Sequence, residues 1–168
     1  MPHSPVITSH RLVLPADANH HGTLYAGSLL RYALEAGYAA ASRGAGVAAN
    51  LVLRRVLSVE CRQAVPVGTL VEIHAAVIDV RQCYLAVGVV GMPLEGQSLP
   101  WMDGLFGFVQ VDGDGLPVPL PAPVEPVSPD RFWQPLVDRL ERLARLRGGT
   151  ADWFAAGFDR TPPPGIST

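Results

Sequence analysis

The stretch NHHGTLYAGSLLRYALEAG, Asn19 to Gly37, carries the residues of this chain best able to act on a substrate. Asn19 offers a neutral amide that can hold a water or a carbonyl. Gly22 and Gly27 let backbone approach a ligand closely, and a helix starting near Ala26 points free N–H groups outward. Donors of this kind stabilise the oxyanion formed when water attacks a carbonyl, contributing roughly 3–4 kcal/mol each in hydrolases. The same residues also make a plain turn and helix cap. Residue types alone leave both readings open.

Other chemistries fit less well. His20 and His21 are adjacent, so they cannot face one metal from a helix, and no third ligand is spaced to complete a set. No metal and no cofactor is expected. Ser28, in YAGSLL, lacks the glycines of a nucleophile elbow. GAGVAA, Gly44 to Ala49, satisfies G-x-G-x-x-A but follows a helix and enters a strand, the reverse of a dinucleotide site. VDGDG starts like a calcium loop without the remaining ligands and reads as a turn. Cys61 and Cys83 have no CxxC spacing and read as buried, reduced thiols.

The elements that must position the Asn19 stretch are legible from periodicity. ITSHRLVLP is extended, and Pro15 to Thr23 is a loop by its turn chemistry. From Gly27 to about Arg43, Leu30, Ala33, Leu34, Gly37, Tyr38 and Ala41 recur at three and four, which predicts a helix with one buried face. Arg31 and Glu35 can pair on its flank, and RGAG ends it. Four strands follow, within VAANLVLRRVLSVECRQA, GTLVEIHAAVIDVRQ, CYLAVGVVG and LPWMDGLFGFVQVD, consecutive enough to form an antiparallel meander. In the second, Val71, Ile73, Ala75 and Val77 alternate with Glu72 and His74, so one face points to solvent and His74 is solvated. One helix followed by a sheet that curls round it is an α+β arrangement.

LPVPLPAPVEPVSPD is Pro-rich and runs extended. Ser128 or Asp130 can then cap a second helix with an apolar stripe of Phe132, Trp133, Leu136, Val137, Leu140, Leu143 and Leu146. That stripe must dock on its own sheet or on a neighbouring subunit. The last residues, TPPPGIST, are expected to be disordered.

Bulk properties narrow the partners. Hydrophobic residues make up 48% of the 168 and charged ones only 17%, so some apolar surface is expected to meet another copy of the chain. The net charge of −2 is scattered, and all 13 basic residues are Arg without the clusters that phosphate backbones require, which argues against nucleic acid. No apolar run approaches a membrane span and no secretory leader is visible, so a cytoplasmic protein without membrane association is expected.

Taken together, RLVLPADANHHGTLYAGSLLRYALEAGYAAA resembles the hotdog-fold acyl-CoA thioesterases, the acyl-CoA hydrolase branch with a signature close to LP-x-D-x-N-x-x-G-x-h-F-G-G-x-h-h-x-h-h-D-E-A-G. SVECRQAVPVGTLVEI and LFGFVQVDGDGLPVPLP continue the likeness, which covers about residues 10–121. The resemblance implies a hotdog fold, a long central helix wrapped by an antiparallel β-sheet, to which the apolar stripe adds an extra C-terminal helix outside the likeness. Residues 1–121 form the thioesterase-like domain, 122–129 a Pro-rich linker and 130–168 the C-terminal helix and tail. It also implies homodimers or a higher assembly of dimers, active sites at the dimer interface, and an acyl-CoA or other acyl thioester as substrate. Asn19 matches the family's active-site Asn, and Ala26 with Gly27 its Gly-Gly pair; His21, Tyr25, Ala26 and Gly27 are placed on the substrate. The family's catalytic Asp falls on Leu34, an apolar position expected to be packed. Glu35 is then the available catalytic carboxylate beside Asn19. Hydrolysis of an acyl-CoA is the activity implied. A non-hydrolytic acyl-thioester-binding protein, and a hotdog enzyme acting on a dedicated biosynthetic intermediate, are the alternatives.

Overall fold

The computed structural model describes residues 5–94 and 99–147; the TPPPGIST tail lies outside them. The elements run β1 (Ile7–Leu12), a 3₁₀ turn (Pro15–Asp17), α1 (Ala26–Ala45), β2 (Leu51–Cys61), β3 (Leu70–Val80), β4 (Tyr84–Pro93), β5 (Met102–Gln110) and α2 (Gln134–Leu146). The sheet is antiparallel throughout, in the order β1-β3-β4-β5-β2. Only β3, β4 and β5 form the expected meander. The chain leaves β2 and crosses to the far side of the sheet, so β2 pairs with β5, Leu51 opposite Gln110 and Cys61 opposite Met102, and not with β3.

α1 lies against one face of the sheet. Leu29, Tyr32, Ala33, Ala36, Ala40, Ala41 and Ala45 are buried against Val71, Ile73, Val87, Val89, Phe106 and Phe108. The face is built from small residues, which lets the helix axis approach: a Cβ on Gly37 would already sit 3.5 Å from Val89 and 3.7 Å from Phe108. This close face is turned by about one residue from the expected stripe. Ala36 and Ala40 are buried instead of Leu34 and Tyr38; Leu30 and Leu34 are half-buried, and Tyr38 is 47% exposed with its ring edge-on to Phe108. The helix ends at Gly46, whose φ of 87° suits a residue without Cβ.

α2 docks on the opposite face of its own sheet. Trp133, Leu136 and Leu140 pack against Ala76, Ile78, Tyr84, Ala86, Val90, Leu105 and Val109. The two clusters use alternate residues of each strand, as period two requires. Consequently β5 is buried along its whole length, and β3 is buried on both faces from Ala75 to Ile78. His74 is therefore not freely solvated. Its Nε2 donates to Glu72 Oε2 at 3.1 Å, its Nδ1 accepts from the Thr8 hydroxyl at 3.1 Å, and its ring is edge-on to Phe132.

The Pro-rich segment carries the chain between the two faces. Leu120 and Val124 pack on the α1 cluster and Val127 on the α2 cluster, where its N–H donates to Val77 O at 2.8 Å. Asp130 caps the turn ahead of α2, its Oδ1 accepting the N–H groups of Phe132 and Trp133. The cysteines depart from expectation: Cys61 is exposed at the end of β2 and Cys83 half-buried, both as free thiols. Cys61 is the last residue of β2, an edge strand of the sheet.

Candidate active site

Asn19 sits in a tight turn that its own side chain closes. Oδ1 accepts the N–H of His21 at 2.9 Å and of Thr23 at 3.2 Å, while Nδ2 donates to Thr23 Oγ1 at 3.1 Å. Gly22, at φ 71°, provides the left-handed residue, and its N–H returns to Asn19 O at 3.0 Å. The turn is stitched to the β2–β3 connection by Leu24 N–H to Val65 O at 2.8 Å and Val67 N–H to Gly22 O at 3.0 Å.

A second set of contacts fixes the turn against α1. The Tyr25 N–H donates to Asp17 O at 2.8 Å, and the Asp17 carboxylate takes Arg31 Nη2 at 2.9 Å. The Tyr32 hydroxyl also donates to Asp17 and, with Arg31, holds its carboxyl below the usual range; Tyr32 is itself shifted upward, first by burial and then by Asp17. The guanidiniums of Arg11 and Arg31 lie 5.2 and 4.9 Å from the Tyr32 ring centre. Asp17, Arg31 and Tyr32 thus position the Asn19 turn, a role that sequence reading missed although Asp17 stood in the quoted LPADAN.

Tyr25 is the N-cap of α1 and supplies no side-chain cap. The first N–H to find a carbonyl is that of Leu29, bonded to Tyr25 O at 2.9 Å; those of Ala26, Gly27 and Ser28 have no acceptor among the described residues. Gly27 has a steric reason as well, since a Cβ there would fall 2.5 Å from the Tyr25 ring.

Asn19 and Ala26 line one cavity of about 300 Å³, closed by Leu24 and Leu29 and, across from them, by Cys61, Arg62, Gln63 and Val65. The opposite wall comes from the end of β2, and its place here follows from the β2 crossover. The other expected site residues lie off this wall. His21 is exposed with its ring centre 3.8 Å from that of His20, and Tyr25 is 55% exposed. Glu35 forms ion pairs with Arg11 and, at 3.6 Å, with Arg31. Nine residues after Ala26, it stands about half a turn round the helix and roughly 13 Å along it. Leu34 packs at the edge of the α1 core. No group of three or more His, Cys, Asp or Glu able to hold a metal occurs among the described residues.

One helix wrapped by this sheet is the hotdog fold, and the chain is similar in structure to hotdog-fold acyl-CoA thioesterases. An apo-hexameric acyl-CoA thioesterase superposes with a TM-score of 0.69 at 26% identity, over 85% of this chain and 93% of that one. The acyl-CoA hydrolase from Staphylococcus aureus, solved with butyryl coenzyme A, coenzyme A and coenzyme A disulfide, gives 0.70 at 23% identity over 84% and 88%. A hexameric hotdog fold thioesterase of Campylobacter jejuni gives 0.58 at 22% identity over 67% and 87%. No family model matches the chain, and no curated protein does.

Proposed function

We propose that this protein hydrolyses an acyl-CoA to the free acid and coenzyme A. The observation that carries the reading is the cavity in which Asn19 and the uncapped start of α1 converge on a hotdog scaffold. A thioester carbonyl placed there would receive the N–H groups of Ala26 and Gly27, which have no acceptor among the described residues. These donors favour the tetrahedral oxyanion over the flat ground state, and that difference accelerates attack by water. Asn19 holds the water or the carbonyl, after its amide exchanges Thr23 for the substrate. His21, Tyr25 and Gly27 do not line the cavity but are close in sequence to Asn19 and Ala26, which do, and would meet the coenzyme outside it.

The attacking water needs a carboxylate. The S. aureus hydrolase has been solved with alanine at an Asn and at an Asp fifteen positions later, and fifteen positions after Asn19 is Leu34. Glu35 is the adjacent carboxylate; standing away from the cavity of its own chain, it would have to serve the cavity of a second copy. Apolar side chains on the outer strand support such an assembly. Val52, Leu53 and Val56 on edge strand β2 are 41%, 43% and 50% exposed, an arrangement that edge strands of soluble monomers avoid. A homodimer, or a hexamer as in the similar proteins, would cover them.

Thiol release from a panel of acyl-CoAs tests the proposal. Asn19→Ala is expected to slow turnover about 10²-fold or more, and Glu35→Ala about 10²- to 10⁴-fold, the usual contribution of a general base. Retained acyl-CoA binding with no thiol released by the unaltered protein would sink hydrolysis and leave a binding protein.

A further inference from the structure

A second and larger cavity, about 520 Å³, opens between the start of α2 and the outer face of β4 and β5. Its size falls in the range of small-molecule sites, roughly 300–1,000 Å³. Val90, Leu99, Phe132 and Leu136 make its walls apolar, while Arg62, Asp103 and Arg131 bring charge to it. Asp103, 5% exposed, is already engaged: Arg62 Nε and Arg139 Nη1 each donate to it at 2.5 Å. Glu60 takes the remaining contacts, Arg62 Nη2 at 3.1 Å and Arg139 Nη2 at 3.5 Å. Among the residues lining the cavity, two guanidiniums, those of Arg62 and Arg131, face one carboxylate, Asp103, which leaves one positive charge in excess. That charge is Arg131, which forms no ion pair or hydrogen bond among the described residues.

We infer that this cavity binds a monocarboxylate with an apolar body, its chain against Leu136 and Val90 and its carboxylate on Arg131. The single excess charge sets the class. A guanidinium presents two parallel N–H donors to a carboxylate, and a ligand carrying several phosphates would leave most of its charge unmatched here. An exposed Arg alone would be ordinary solvated surface; beside an apolar cavity it makes an amphipathic site. The site is separate from the catalytic reading and stands or falls without it, although Arg62 and Gln63 line both cavities.

Calorimetric titration of the full chain with octanoate tests the inference, because it reads binding without turnover. The expected result is one octanoate per chain, with affinity reduced at least about tenfold in Arg131→Glu and in Leu99→Asp, the scale of one charge-assisted hydrogen bond. Both residues are exposed, so neither change threatens the fold, which circular dichroism would verify. Uncharged 1-octanol should bind at least about tenfold more weakly than octanoate. No octanoate binding, equal binding of octanol, or either variant binding octanoate as tightly as the unaltered chain would overturn the assignment.

Discussion

Replacing Asp103 by Asn should loosen α2 from the sheet. The Asp103 side chain is 8% exposed and that of Arg139 14%, so their contact, 2.5 Å from Nη1 to Oδ1, is made largely out of water. A hydrogen bond between charged groups in such a place contributes roughly 1.5–3 kcal/mol. Arg62, at 41% exposure, is screened by solvent and adds only about 0.2–1 kcal/mol, although its own pKa is raised, first by the bond to Asp103. The loss expected for Asp103→Asn is therefore about 2–4 kcal/mol, in line with breaking other buried ion pairs. For a chain of this length that corresponds to a fall in Tm of roughly 6–12 °C. Urea denaturation of both proteins at one protein concentration measures it, since assembly also shifts apparent stability. If an unpaired Arg139 is the source of the cost, the double variant Asp103→Leu with Arg139→Leu should recover part of the loss. A cost below about 1 kcal/mol for Asp103→Asn would refute the view that this contact anchors the helix.

Gly88 lies under α2, where an added Cβ would sit 3.0 Å from Leu136 Cδ1 and 3.3 Å from Ile78 Cγ2; Gly88→Ala should cost about 1–3 kcal/mol by overpacking, and an unchanged urea midpoint would contradict the tight fit. Glu72 takes His10 Nε2 at 3.0 Å and His74 Nε2 at 3.1 Å, and the His10 bond above all holds its carboxyl below the ordinary value. Because the folded pKa is the lower one, this stabilisation is complete above the unfolded pKa, about 4.3, and is lost as pH falls through the folded value. Glu72→Gln should therefore flatten the acid limb of a Tm-versus-pH curve, and an unchanged limb would count against it. If Glu35 serves a neighbour's cavity, turnover per chain should fall on dilution in parallel with dissociation measured by ultracentrifugation; constant turnover from an isolated monomer would rule this out.

The sequence disclosed the elements better than their neighbours. Each strand shows its own period, and α1 its own repeat, because these signals are local. The β2–β5 pairing joins residues some fifty apart in the chain, and β2 is half-exposed along most of its length, so nothing in its pattern tells which strand it will join. The docking of α2 was open for the same reason: the stripe announced a buried face and left its partner unspecified. At the site, the Asn19 turn was legible because Asn and Gly four residues or fewer apart close it. The Arg62–Val65 wall was not, since only the crossover brings it opposite Ala26.

Position 34 illustrates how a helix register decides chemistry. Bulky apolar residues at 30, 34 and 38 suggest a face that packs deepest, yet the sheet takes the side carrying Ala33, Ala36, Ala40 and Gly37, because small residues permit the closer approach and bury more backbone-proximal surface. That rotation leaves Leu34 at the edge of the core and turns Glu35 outward, onto Arg11 and Arg31. A one-residue displacement of an acid along a helix moves it about 100°, which no rotamer recovers within the same chain. If the proposed hydrolysis draws on Glu35, that carboxylate serves the Asn19 cavity of another copy of the protein, so the state of assembly and the state of the active site become one question.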